Sequence, residues 1–126
     1  MVNRVLVCGG RHFGLLDDGE GNWYSDYPVI NRAIDTIKEY KPTHIISGGA
    51  TGADQIGVFA AQCIPVEYSV YKADWHTHGK AAGMIRNRRM LIEGKPDLVL
   101  AFPGGKGTAN MVEISRKAGV KVVEIS

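Results

Sequence analysis

The sequence predicts an α/β fold: a three-layer sandwich around a five-stranded parallel sheet, in the strand order 3-2-1-4-5. Three observations lead there. Five short, nearly continuous apolar runs recur along the 126 residues. Helical patterns lie between them. The first, second and fourth runs lead straight into glycines. Strands buried on both faces carry such unbroken runs, whereas half-exposed strands alternate apolar and polar residues.

The runs are RVLVCGG (4–10), THIISGG (43–49), PVEYSVY (65–71), PDLVLAF (96–102) and VKVVEIS (120–126). The first helix, 27–40, sets Ile30, Ala33, Ile34 and Ile37 on one stripe, with Asp35, Lys38 and Glu39 outside it. The second, 52–63, groups Ile56, Phe59, Ala60 and Cys63. The third, 80–93, ends at EGKP, a glycine and proline stop signal. Its core side is expected at Ile85 and Ile92. The fourth, 108–118, carries Met111, Val112 and Ser115 and stops at Gly119. Strands alternating with helices at this spacing form right-handed βαβ units, which makes the fold Rossmann-like. One long irregular segment remains, 9–26, and loops of that length are usually functional or mobile.

Composition sets bounds. The length suits one domain, 1–126, with 44% hydrophobic and 22% charged residues. The formal net charge of +2 is too small to imply nucleic acid by itself. Cys8 and Cys63 lack a CxxC spacing and read as reduced core thiols. No signal peptide or long apolar stretch is evident, so a cytoplasmic protein with no membrane partner is expected.

The glycines carry the functional argument. In an open parallel sheet, ligands bind outside the carboxyl ends of the strands, where the strand order reverses. That point lies between the first and fourth strands. The loops bearing Gly9, Gly10 and Arg11, and Pro103, Gly104, Gly105, Gly107 and Thr108, would face each other there. Gly48, Gly49, Thr51 and Gly52 lie alongside. Glycines admit an anion close to backbone N–H groups, and the following helix offers its positive end. Thr51 and Thr108 could cap those helices or donate to a phosphate. No GxxxxGK[ST] is present, and GGATGA contains no GxGxxG, so neither a P-loop nor an ordinary NAD site is expected. No cofactor is expected.

A further constellation, ADWHTHGKAAGMIRNRRM (73–90), places Arg86 and Met90 on one helix face with Asn87 beside them. Arg86 and Asn87 could clamp a nucleotide, or belong to a solvated basic face. Arg88 and Arg89 read more readily as solvated. His76 and His78 form an HxH pair without a clear third ligand, so no metal is expected.

GGRHF, GGATGAD, the 73–90 segment and FPGGKGTANM together resemble the YspA/YpsA-like branch of the SLOG superfamily. That group includes LOG phosphoribohydrolases and DprA-type proteins. The resemblance runs nearly end to end and implies a Rossmann-like fold with a nucleotide-type ligand. LOG enzymes carry PGGxGTxxE and an arginine from the preceding helix. Arg86 corresponds to that arginine, but Met111 stands where the glutamate would be, and Glu113 is rotated to another face. Glycosidic cleavage needs a negative group near its cationic transition state. Asp54 and Asp74 remain as catalytic candidates beside Arg86. Asp54 can equally serve the helix dipole. Asp17, Asp18 and Glu20 could fold over the site from the long loop.

Three readings follow. The first is a domain that binds or senses a nucleotide or nucleotide-derived ligand. The second is a LOG-related nucleotide N-glycosidase. The third is a DprA-like DNA-binding module using Lys72, Lys80, Arg86, Arg88 and Arg89. A near-neutral charge and no evident series of stacking aromatics weigh against the third. Related proteins pair through helices beside the crevice, so a homodimer or higher homo-oligomer is expected.

Overall fold

The computed structural model describes residues 2–126. The chain enters through β1 (Arg4–Cys8) and then forms a small hairpin, β2 (Leu15–Asp17) and β3 (Trp23–Ser25). Helix α1 (Tyr27–Glu39) leads to β4 (His44–Ser47), and α2 (Ala53–Cys63) to β5 (Glu67–Val70). A single turn, α3 (Trp75–His78), and a 3₁₀ turn (Gly79–Ala81) precede α4 (Ala82–Gly94). Strand β6 (Leu98–Ala101), α5 (Lys106–Lys117) and β7 (Lys121–Glu124) complete the chain. The main sheet runs β5-β4-β1-β6-β7, all parallel. Counted within that sheet, this is the predicted order 3-2-1-4-5.

Strand β1 sits at the centre, with Val5 in register with Ile45 on one side and Leu98 on the other. Alternation then builds two cores. Val5, Val7, Ile45, Leu98 and Leu100 pack with Ala33 and Ile37 of α1 and Ile56 and Ala60 of α2. Leu6, Cys8, Ile46, Val99 and Ala101 pack with Met90 of α4 and Met111 and Val112 of α5. Burial on both faces holds for β1, β4 and β6. It does not hold at the sheet edges, where Tyr68 and Val70 of β5 are exposed. An edge strand has a neighbour on one side only, so helices cover less of it.

Helix α1 carries the expected stripe, and its start is set by Asp26, whose carboxylate accepts from the Val29 N–H at 3.4 Å. Helix α2 meets the sheet through small residues. A Cβ on Gly57 would lie 3.0 Å from the Val7 Cβ. The buried face is therefore Ala53, Ile56, Gly57, Ala60 and Ala61. This corrects two expectations: Phe59 and Cys63 are exposed, so only Cys8 is a core thiol.

Helix α4 is also rotated from the expected orientation. Asn87, Met90 and Gly94 face inward, whereas Ile85 is half-buried and Ile92 is 64% exposed. Gly94 explains the rotation: a Cβ there would sit 3.2 Å from Ile46, so the helix seats its bare turn on β4. The hairpin was hidden in the long loop. Asp18 closes its tip, accepting from the N–H groups of Glu20 and Asn22 and from the Asn22 amide. No helix among the described residues is long and apolar enough to cross a membrane.

Gly57→Val should lower stability by about 1–3 kcal/mol through overpacking against Val7. Urea unfolding should show a lower midpoint at an unchanged slope. An unchanged midpoint would mean that α2 does not rest on β1 through this glycine.

Candidate functional site

Three glycine-bearing loops meet at the carboxyl edge of the sheet, and Gly10 ties them together. Its N–H donates to the Pro103 carbonyl at 2.8 Å, and its carbonyl accepts from the Ala53 N–H at 3.1 Å. Thr51 adds a hydroxyl bond to the Arg11 carbonyl at 3.1 Å. Close approach is possible only because side chains are missing. A Cβ on Gly52 would strike the carbonyls of Gly10 and Arg11, and one on Gly104 would strike Thr108 and the Gly10 nitrogen.

A cavity of about 710 Å³ opens between the β1 and β6 loops. Gly9, Gly10, Arg11, Asp54, Arg86, Asn87, Gly105, Gly107 and Thr108 line it. An adjoining cavity of about 590 Å³ is lined by Gly48, Gly49 and Thr51 together with Lys72, Arg11 and Arg86. Gly52, Pro103 and Gly104 line neither and serve the packing of the loops. Residues absent from the sequence reading of the site also reach it: Cys8, His12, Trp75, Lys106 and Asn110. His76 and His78, on either side of Thr77 after Trp75, lie on the exposed α3 turn and line neither cavity.

Neither helix start is capped by a side chain; the N-caps are Gly52 and Gly105. Thr51 and Thr108 are therefore not caps, which corrects one of their two expected roles. In α2 the Gly10 carbonyl takes up the Ala53 N–H. In α5, among the described residues, no acceptor takes the N–H groups of Lys106, Gly107 and Thr108. Those donors and the positive end of the helix meet at the cavity wall.

Arg86 reaches in from α4. Its Nη1 donates to the Gly48 carbonyl at 2.6 Å and its Nε to the Asn87 side-chain oxygen at 3.1 Å. The Asn87 amide nitrogen donates to the Gly107 carbonyl and to Asn110 Oδ1, each at 3.1 Å. Both ends of the Asn87 amide are thus used within the protein, so it positions Arg86 and α5. Among the described residues, Arg11, Lys72, Lys80, Arg86 and Lys106 form no ion pair. Arg89 pairs with Glu93 and lies over the Tyr71 ring, and Arg88 is exposed.

Among the described residues, Asp54 is the one carboxylate in the cavity wall, 6% exposed. Burial pushes its carboxyl up to about 6, although the Ala50 N–H at 3.2 Å and nearby Arg86 both pull it down. The Cys8 thiol beside it is pushed up to about 12, mainly by burial and then by Asp54, so it is inert. Asp74 does not line either cavity. Its carboxylate caps α3 by accepting from the Thr77 N–H at 3.1 Å; hydrogen bonding to the Thr77 side chain and then to this N–H holds it below the usual range. Asp17, Asp18 and Glu20 stay at the hairpin tip, away from the cavity walls. Met111 is 1% exposed and packs in the α4/α5 core.

The raised value at Asp54 has a stability consequence. Its neutral form is favoured by the fold, so its contribution is fully present below the unfolded value of 3.8 and is lost as pH rises through about 6. Asp54→Asn should therefore stabilise the protein at pH 8 by about 1–3 kcal/mol. The gain should shrink to near zero by pH 4. Thermal melts across that range check it, and a pH-independent difference would mean that Asp54 titrates normally.

The model of the YspA, cpYpsA-related SLOG family matches residues 3–78. The matched segment holds the β1 and β4 loops, with Asp54 and Trp75. The chain is also similar to the Gene 61 protein of Mycobacterium phage D29, at 38% identity over 129 aligned positions. That similarity covers 97% of this chain and 95% of the phage protein, so it includes α4 and the β6 loop. No solved structure matches. The chain belongs to the YspA, cpYpsA-related SLOG family.

Proposed function

We propose that the crevice binds a nucleotide or nucleotide-derived ligand, with its phosphate against Gly105, Gly107 and Thr108 and beside Arg86. Membership of the SLOG family supports a nucleotide-related role. The observation that carries the finer reading is Gly107. It stands in the first turn of α5, where alanine would serve the helix at least as well as glycine. A Cβ there would meet nothing within 4 Å, and its φ is not left-handed. Nothing among the described residues asks for glycine at this position; a ligand lying against the backbone would. The unpaired cations around the cavity supply the matching charge.

Binding without turnover is favoured over cleavage. The α5 face that meets the cavity floor carries Met111, packed in the core, where the resemblance to LOG enzymes would require glutamate. One observation supports the N-glycosidase reading instead. Asp54 reaches the cavity with a value near 6, suited to proton transfer at neutral pH. The two readings separate by chromatography after incubation with nucleoside monophosphates. No free base above the buffer control is expected. Base release that Asp54→Asn stops would establish the enzyme.

Gly107→Ala gives the sharpest check of the binding site. It should leave stability equal or higher by up to about 1 kcal/mol, yet weaken a nucleoside monophosphate about tenfold or more in calorimetry. Unchanged affinity would remove this loop from the site. We also propose self-association through the outer face of α4, where Ile92 is 64% exposed and lines neither cavity. Light scattering at micromolar concentration should give more than the monomer mass. A monomer throughout would overturn it.

A further inference from the structure

The crevice has a rim as well as a floor, and the rim is aromatic. Trp75 is half-exposed, yet it lines both cavities and so stands between them. The Arg11 guanidinium lies over its ring, 5.4 Å from the centroid. The turn that holds Trp75 is fixed at both ends: Asp74 caps it, and the Gly79 N–H, at φ 55°, donates back to the Trp75 carbonyl. The indole rests over Gly83 of α4, with ring carbons 3.6–4.0 Å from where a Cβ would be. A ring held this firmly, outside both cores, is a poor use of a large apolar surface unless something covers it. Across the mouth, His12 stacks on Trp23 at 3.9 Å and 6°, so those two rings already satisfy each other.

We propose that Trp75 is a stacking platform for the ligand's nucleobase, with Arg11 as its exchangeable cover. The inference rests on the phosphate reading above and adds the second half of the ligand. A nucleotide joins an anion to a flat ring. This crevice joins unpaired N–H groups and cations on its floor to an indole at its mouth. Arg11 is exposed, and a cation–π contact at an exposed site is weak, so a base can take the ring face from it or stack beneath it. Stacking is tolerant of base identity, because every base has a π face.

The chain has two tryptophans, Trp23 and Trp75, which makes the proposal directly readable. In Trp23→Phe protein, Trp75 is the sole indole. Adenosine, guanosine, cytidine and uridine monophosphates should quench its fluorescence, and ribose 5-phosphate should not. In calorimetry, wild type should bind the monophosphates roughly tenfold or more tightly than ribose 5-phosphate. Trp75→Ala should erase that preference while leaving ribose 5-phosphate within twofold, and Trp75→Phe should keep most of it. Equal affinity of wild type for the monophosphates and ribose 5-phosphate would overturn the platform and leave the phosphate site standing. Equal weakening of both by Trp75→Ala would make Trp75 structural and also overturn it. If neither class binds wild type, the phosphate reading falls and the platform with it. The fluorescence arm decides the matter even if Trp75→Ala does not fold.

Discussion

The site depends on two hydrogen bonds made by the backbone of Gly10, one to the β6 loop and one to the start of α2. Strands β1, β4 and β6 would lie side by side without them, because hydrophobic burial aligns the sheet. Burial has no direction, however, and does not fix how three loops end. The Gly10 N–H and carbonyl do. They hold the β1 loop between its neighbours, and Thr51 adds a third tie through the Arg11 carbonyl. Any side chain on Gly52 or Gly104 would push these loops apart. The same glycines that suggest a ligand thus divide into two groups. Gly52 and Gly104 make room for protein, and Gly105 and Gly107 leave room that protein does not fill.

Helix α4 carries the second constraint. Asn87 is buried and polar, which is costly unless its amide is fully bonded. It is bonded at both ends, to Arg86 on its own helix and to Gly107 and Asn110 on α5. Losing Asn87 would remove one of the two bonds that hold the Arg86 side chain, together with the ties to α5. Arg86 donates to a carbonyl and an amide and forms no ion pair among the described residues, so Asp54 nearby is the carboxyl that can offset its charge at the cavity wall. The cost falls on Asp54, whose ionised form is disfavoured by burial in the wall.

Much of this was legible in the sequence because burial writes itself into residue type. Runs such as RVLVC and DLVLA announce central strands, and their order follows from right-handed crossovers. The misses share a physical cause: they turn on the rotation of a helix about its axis. In α2 and α4 the face meeting the sheet is chosen by glycines, Gly57 and Gly94, which let backbones approach closely. An apolar count selects Phe59, Cys63 and Ile92 instead, and these are exposed. The hairpin was obscured because Asp and Gly at its tip resemble any loop, and its strands are three residues long. The sequence placed Asn87 beside the crevice but did not show that it positions other groups, since those partners come from α5.

The charges around the crevice show why floor and rim must be considered together. Arg11 and Arg86 reach both cavities, so an anion in either feels both guanidinium groups. Asp54 lies near the same field, and burial holds back its ionisation. Below about pH 6 it is largely neutral and the floor is purely cationic; above, it offsets part of the positive charge. In the proposed function, an entering phosphate would favour the neutral form, because two anions near one arginine repel. Protonation of Asp54 and occupancy of the floor would therefore reinforce each other. By thermodynamic linkage, each would strengthen the other by the same factor. A buried carboxyl that is costly to the empty protein would then become a means of tuning how tightly the proposed anion is held.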